Sequence, residues 1–315
     1  MDIQSTVLEF KNRINKRWQH LSRWLKASQI QCFRLYDRDI SQFPFIIDGV
    51  PGYWVVWECD HTYKDQEIVA LMDSVKIVLQ AMDARELVIK YRKKDVVGEK
   101  RPKDHWLTVE ENGLLFDLNL TRYLDIGLFY DHRNTRDYVR SIAKGKRVLN
   151  LFAYTGSFSC YALKGGAQFV MSVDMNPRYT EWHERNAQLN ACDLNKYKLV
   201  TQDARVFLAR NKRPYDIIIC DPPSFSQSKR TKEGVFQIQT HGQDLIQACL
   251  NNLTDNGVLI FSTNYRRFNM DAIAEALPCK VKAATKRFCP KDFEGLWHSQ
   301  TWLLKGLSQS LKKIK

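Results

Sequence analysis

The sequence predicts an α/β protein, a mostly parallel sheet with crossover helices, preceded by a small α+β domain. From Lys146 onward, short apolar runs (RVLNLF, FVMSVD, YKLV, YDIIIC, VLIFST, TWLLK) alternate with helical stretches, as strands joined by crossover helices do. Between Cys32 and about Thr121, strand-like runs follow one another with one helical stretch among them. With 44% hydrophobic and 12% aromatic residues, the 315-residue chain can bury a sizeable core in about two domains.

Residues 1–28 form the first element. Ile3, Val7, Phe10, Ile14, Trp18, Leu21 and Leu25 recur at the spacing of one helical stripe. The opposite face carries Lys11, Arg13, Lys16, Arg17, Arg23 and Lys26 against Asp2 and Glu9, and either stays solvated or lies along a phosphate backbone. Residues 29–121 hold the runs CFRLYD, YWVVWEC, ELVIKYR, HWLTVEE and LLFDLNL and a helix from about Gln66 to Met82. The segments Asp48-Gly49-Val50-Pro51-Gly52 and Glu111-Asn112-Gly113 fall where hairpin turns are needed, and Arg92 to Asp104 is a charge-rich linker. Residues 122–315 hold the parallel sheet. Within them Asn176 and Pro177 make a good N-cap and first-turn pair for a helix to about Asn190, and a short basic tail runs from Lys305 to Lys315.

Composition excludes several classes of protein. The longest uncharged stretch, Val148 to Leu163, is interrupted by polar residues and falls short of the ~20 apolar residues of a membrane span. The N-terminus has neither an apolar segment nor a small-residue cleavage site, so the expected location is cytoplasmic. Eight cysteines lie far apart with no CxxC or CxxH pair, which argues against a zinc site or a disulfide framework, and no metal is expected. Forty-eight Lys and Arg against 35 Asp and Glu leave a net charge of +13, which suits a polyanion such as nucleic acid or simply a basic, soluble surface.

In an open α/β sheet the ligand lies at the carboxyl ends of the strands. After the first strand of the parallel sheet come Asn150, Phe152, Ala153, Tyr154, Thr155, Gly156 and Ser157; after the next three come Asp174, Asp203 and Asp221. A small-residue loop admits close backbone approach, and a strand-end carboxylate can accept both hydroxyl hydrogens of a ribose, which points to a nucleoside cofactor. Without GxGxxG, S-adenosylmethionine suits the loop better than a dinucleotide, because it has no pyrophosphate to hold. Asp203, followed by Ala204, is placed to accept from an adenine amino group; taken singly, Asp174 and Asp203 also read as helix caps. In Asp221-Pro222-Pro223-Ser224-Phe225 the prolines stiffen the backbone, so Asp221 and Phe225 can clamp a planar base by carboxylate and ring.

These residues resemble the class I S-adenosylmethionine-dependent methyltransferases, and within them the RlmK-like rRNA large-subunit group, the C-terminal half of the fused RlmKL enzymes, related to the RlmI group. The resemblance spans about residues 30–305. It is carried by Cys32-Phe33-Arg34-Leu35-Tyr36-Asp37, by Tyr123 through Arg133 with its Asp131-His132-Arg133, by Leu149 through Ser157, by Asp221 through Arg230, and by Phe261 through Asp271. It implies a Rossmann-like fold with a mostly parallel seven-stranded sheet, S-adenosylmethionine as cofactor, 23S rRNA as substrate and guanine N7 as the methylated atom. It further implies that Asp174, beside Met175, holds the ribose, Asp203 the adenine and the Phe152–Gly156 loop the methionine part. Arg133 pairs either with the cofactor carboxylate or with Asp131 or Asp125. RlmI-like enzymes, which make 5-methylcytosine, are expected to carry a cysteine where this chain reads Ser262-Thr263-Asn264. Lys229, Arg230, Arg266 and Arg267 are the expected RNA contacts, with Lys232 nearby. The alternatives are a pyrimidine-C5 or exocyclic-amine methyltransferase on the same fold, and a non-catalytic RNA-binding or assembly protein that keeps the cofactor pocket.

Overall fold

The apolar stripe of the N-terminal helix, α1 (Ile3–Ser28), is a core surface: Phe10, Ile14 and Leu21 are fully buried. The computed structural model describes residues 3–91, 103–226 and 234–306. It divides into two units, Met1–Tyr130 with Pro290–Trp297, and Asp131–Cys289 with His298–Lys315.

In the first unit α1 packs on a sheet of β1 (Phe33–Asp37), β2 (Phe45–Val50), β3 (Tyr53–Glu58) and β4 (Glu86–Tyr91), with α2 (Asp65–Met82) crossing between β3 and β4. The crossover makes β3 and β4 parallel, while β1–β2 and β2–β3 are antiparallel. Phe10 stacks on Phe43 at 4.2 Å and meets Tyr36 edge-on, and Trp18 lies 6.0 Å from Trp54. The helix taken from sequence as a segment of its own, 1–28, is thus part of this unit's core. Two cations of its basic face are engaged within the unit. Arg13 pairs with Asp39 at 3.0 Å, and Arg17 donates to the carbonyls of Asp292 and Glu294 in the returning segment. Strand β2 was not among the expected strands, because Asp48-Gly49 reads as a turn. Asp48 is instead a buried strand residue paired with Arg34, and burial pushes its carboxyl up to about 6. The turn itself is Pro51-Gly52, with Gly52 at φ 79°. The hairpin of β5 (Trp106–Glu111) and β6 (Leu114–Asn119) has the expected Asn112-Gly113 turn, both residues at positive φ, as a two-residue type I′ turn requires.

The second unit runs α3 (Arg133–Ile142), β7 (Arg147–Leu151), α4 (Ser157–Lys164), β8 (Phe169–Asp174), α5 (Pro177–Leu189), β9 (Tyr197–Thr201), α6 (Ala204–Arg210) and β10 (Tyr215–Cys220). A small hairpin follows, β11 (Phe225–Ser226) with β12 (Phe236–Gln237), and then α7 (Ile238–Asn251), β13 (Leu253–Thr263), α8 (Met270–Ala276), β14 (Cys279–Ala283), α9 (Thr285–Phe288) and β15 (Gln300–Gly306). The sheet order is β14-β15-β13-β10-β7-β8-β9, parallel from β13 to β9, with β15 antiparallel to both its neighbours. This is the expected Rossmann-like, seven-stranded, mostly parallel sheet. Leu149, Ile218, Leu259 and Phe261 feed one core cluster, and Val148, Ile217, Ile219 and Ile260 another, so successive side chains bury both faces as in a sheet covered by helices. Strand β14 escaped the sequence reading because Lys280 and Lys282 hide its apolar character; such lysines protect an edge strand from pairing further. Among the described residues no helix is long and apolar enough to cross a membrane.

A Cβ on Gly49 would lie 2.3 Å from the buried Phe33 ring. Gly49→Ala is therefore expected to destabilise the first unit by about 1–3 kcal/mol in urea unfolding, since overpacking forces neighbours off their rotamers. An unchanged midpoint would mean that the ring has room to yield.

Candidate active site

Register places the site. Cys220 of β10 pairs with Leu151 of β7 and Phe261 of β13, Leu151 pairs with Val173 of β8, and Asp174 pairs with Thr201 of β9. Phe152, Asp174, Asp203, Asp221 and Ser262 therefore sit along one edge, the carboxyl ends of the parallel strands.

The loop between β7 and α4 has positive φ at Phe152 (55°), Tyr154 (49°) and Gly156 (80°). Non-glycine residues rarely adopt this region, and they persist there when their surroundings over-determine them. The amide of Tyr154 donates to Asp174 Oδ2 at 2.8 Å, and the side chain of Asn186 on α5 donates to the Thr155 carbonyl at 2.8 Å. A Cβ on Gly156 would lie 2.0 Å from the His183 ring, so only glycine fits. His183 is fully buried, neither ring nitrogen has a hydrogen-bond partner, and burial lowers its pKa to about 3, leaving a neutral ring that fills space under the loop. Asn150, expected at the cofactor, is a core residue instead. It is 2% exposed and donates to Ser159, which hydrogen-bonds Ser172, stitching β7, α4 and β8 together. Ala153 and Thr155 are buried, and Ser157 opens α4.

The strand-end acids differ in their partners. Asp174 Oδ1 accepts from the Asn176 amide at 2.8 Å and Oδ2 from Tyr154; burial raises its carboxyl above the usual range, and these backbone N–H groups pull it back in part. The Met175 amide also faces this carboxylate, and since each oxygen can accept twice, capacity remains for a further donor such as a ribose hydroxyl. Asp203 caps α6 through the Arg205 amide and pairs with the Arg205 guanidinium at 2.8 Å. Burial would raise its carboxyl, but Arg205 and the capped amides outweigh it and hold it below the usual range. The cap reading of Asp203 is thus realised, and what its carboxylate still offers is acceptor capacity on Oδ2.

Asp221 is held from two sides. His132 Nε2 lies 3.1 Å from Oδ2, and the Ser262 hydroxyl donates to Oδ1 at 2.7 Å. The His132 side chain is 3% exposed and that of Asp221 27%, so the pair is anchored in the core and opens outward through the carboxylate. Burial alone would lower the His132 pKa, but Asp221 and Asp131 outweigh it and raise it to about 9, which keeps the ring charged at neutral pH. Ser224 donates to Asn264 at 2.6 Å, a second tie between the β10 and β13 ends. Pro222 is buried, Pro223 is exposed, and Phe225 is 54% exposed. Through β11–β12 the segment joins the loop after β7. Phe236 packs 5.9 Å from Phe152, and the Arg205 guanidinium lies 5.6 Å from the Phe236 ring. Arg133 is buried in the first turn of α3, and Arg266 and Arg267 are exposed beyond β13. Lys229, Arg230 and Lys232 lie outside the described residues.

Sequence reasoning singled out Asp221 but not its partners. His132 was visible only as the middle of Asp131-His132-Arg133, and Ser262 only as the place of a missing cysteine. His183 and Asn186 share a buried face of α5 and carry no separate signal.

The profile of the S-adenosylmethionine-dependent methyltransferase family matches residues 70–276. The chain belongs to this family. The methyltransferase is 35% identical to the ribosomal RNA large subunit methyltransferase K of Neisseria meningitidis serogroup B, over 94% of this chain and 86% of that protein. It is 36% identical to the K/L protein of Aeromonas hydrophila, over 94% of this chain but 43% of that protein, so it spans less than half of the K/L relatives. Among solved structures, a methyltransferase complexed with SAH superposes with a TM-score of 0.79 at 24% identity, over 95% of this chain and 81% of that one. The S-adenosylmethionine-dependent methyltransferase from Agrobacterium tumefaciens superposes with a TM-score of 0.58 at 17% identity, over 83% and 86%. These likenesses show the fold.

The donor set fits S-adenosylmethionine: a half-buried carboxylate bound by backbone amides suits a ribose hydroxyl, an acceptor oxygen on Asp203 suits the adenine amino group, and no phosphate needs a cradle. Asp174→Ala is expected to remove S-adenosylmethionine binding in calorimetry while the thermal transition stays cooperative. Unchanged affinity would take the ribose away from this carboxylate.

Proposed function

We propose that the methyltransferase acts in the bacterial cytoplasm on 23S ribosomal RNA and methylates guanine at N7. The relatives named for large-subunit rRNA support RNA as the substrate. N7 is favoured by the surroundings of Asp221. Carbon 5 of a pyrimidine becomes nucleophilic only after a thiolate adds to carbon 6. The cysteine beside the site, Cys220, is fully buried, and burial together with Cys249 pushes its thiol well above the usual range. The β13 end presents the hydroxyl of Ser262, already committed to Asp221. Guanine N7 carries an unprotonated lone pair at neutral pH and needs neither a thiolate nor a general base.

Asp174 holds the ribose, Asp203 with Ala204 the adenine, and Phe152–Ser157 with Met175 the methionine part, while Arg133 faces the cofactor carboxylate. Bound S-adenosylmethionine supplies an electrophilic sulfonium methyl. The protein's contribution is to hold N7 in line with that methyl and to keep water out, effects that lower a barrier by several kcal/mol in well-oriented systems. Asp221 accepts from base N–H groups, the Pro222-Pro223 backbone stiffens its loop, and exposed Phe225 offers a face for stacking. Arg266 and Arg267, with Lys229 and Arg230, contact phosphates.

Asp221→Ala is expected to cut turnover by more than it weakens S-adenosylmethionine binding; equal losses would move Asp221 to the cofactor. Nucleosides from 23S rRNA of wild-type and deletion strains, compared by mass spectrometry, should differ by the loss of 7-methylguanosine. Loss of 5-methylcytidine instead would overturn the N7 assignment.

A further inference from the structure

We propose that His132 is a positioning residue of methyl transfer: with the Ser262 hydroxyl it clamps the Asp221 carboxylate in one orientation and presents its free acceptor sites to the base. The geometry carries this. The imidazole reaches Oδ2 at 3.1 Å and the hydroxyl reaches Oδ1 at 2.7 Å, one donor to each oxygen, so the carboxylate can neither rotate nor exchange its oxygens without breaking a bond. The donors come from far-apart parts of the chain, His132 just before α3 and Ser262 within β13, and both are at least nine-tenths buried. Only the carboxylate between them reaches the surface.

The His132 ring is itself held in place. It packs 5.5 Å from Phe158 in the first turn of α4, which follows the cofactor loop. Its charged neighbours are Asp221 beyond β10, Asp131 in its own turn and Arg136 on α3; the two carboxylates favour the protonated ring, and burial and Arg136 oppose it. The sign follows from these neighbours. The folded pKa, about 9, lies above the ordinary 6.5, so the charged clamp is complete at neutral pH and is lost as pH rises through about 9. His132 touches neither cofactor nor base in this assignment and acts through Asp221. The inference rests on Asp221 facing the acceptor base, and is independent of which atom of that base is methylated.

The test is single-turnover transfer of tritiated methyl from S-adenosylmethionine to 23S rRNA by the whole chain across neutral to alkaline pH, with cofactor affinity measured in parallel by calorimetry. The wild-type rate should fall through about pH 9. His132→Ala should lose about ten- to a hundredfold in rate at neutral pH, the scale of one charge-assisted hydrogen bond, with cofactor affinity within about twofold of wild type. His132→Gln, which keeps an N–H donor and cannot titrate, should recover part of that rate and lose the alkaline fall; should His132→Ala fail to fold, this variant decides alone. Ser262→Ala should be slower than wild type and keep the alkaline fall. A His132→Gln enzyme that keeps the alkaline fall would overturn the proposal. So would a rate loss matched by an equal loss of cofactor affinity, which would make His132 a support of the cofactor pocket. Product identity is read separately, so methylation of another base position would sink the N7 assignment and leave this one standing.

Discussion

The site depends on the parallel register of β13, β10, β7, β8 and β9. Because Cys220 pairs with Leu151 on one side and Phe261 on the other, β7 and β10 end at one level and Ser262 of β13 lies level with the residues that follow them. Parallel strands need long crossovers, and α4, α5 and α6 begin within a few residues of the strands they follow. Side chains that leave a strand before its helix are therefore gathered at one edge, and Asp174, Asp203 and Asp221 are three of them. A register slip of one residue would exchange the side chains that fill the two cores, so burial on both faces fixes the site as firmly as it fixes the fold.

The loop after β7 shows how that edge becomes a cradle. Three left-handed residues in five positions are unfavourable locally, and two of them carry side chains. The compensation comes from α5, whose Asn186 satisfies the Thr155 carbonyl and whose His183 fills the space under Gly156, and from Asp174, which accepts the Tyr154 amide. His183 gains no hydrogen bond in return, although leaving a buried polar atom unpaired costs about 1–3 kcal/mol. Asp174 thus has a structural task, holding Tyr154, as well as its place in the proposed ribose contact.

The charge balance is easier to place on the structure than in the sequence. The excess of +13 is not one continuous resource. Arg13 and Arg17 are engaged within the first unit, Arg205 is committed to Asp203, and Arg133 and Arg136 are buried. Exposed cations such as Lys11, Lys16, Arg23, Lys26 and Arg267 remain for solvent or phosphate.

Much of the fold was legible in the sequence because its signals are local. Alternating runs marked β7, β8, β9, β10, β13 and β15, Asn112-Gly113 marked a hairpin, and Asn176-Pro177 marked the start of α5. Where local chemistry misled, tertiary context was the cause: Asp48-Gly49 reads as a turn but is a strand because Arg34 pairs with Asp48, and β14 is a sheet-edge strand whose exposed lysines mask its pattern. By itself the sequence determined the strand-end acids, the Asp221–Phe225 segment and the lack of a cysteine after strand five. Only the tertiary structure decided that Asp203 is a cap paired to Arg205, that Asn150 belongs to the core, and that Asp221 is clamped by His132 and Ser262. The reason is that a buried group's charge state and partners are set by atoms a few ångströms away in space, and those atoms come from residues that lie far apart in the chain.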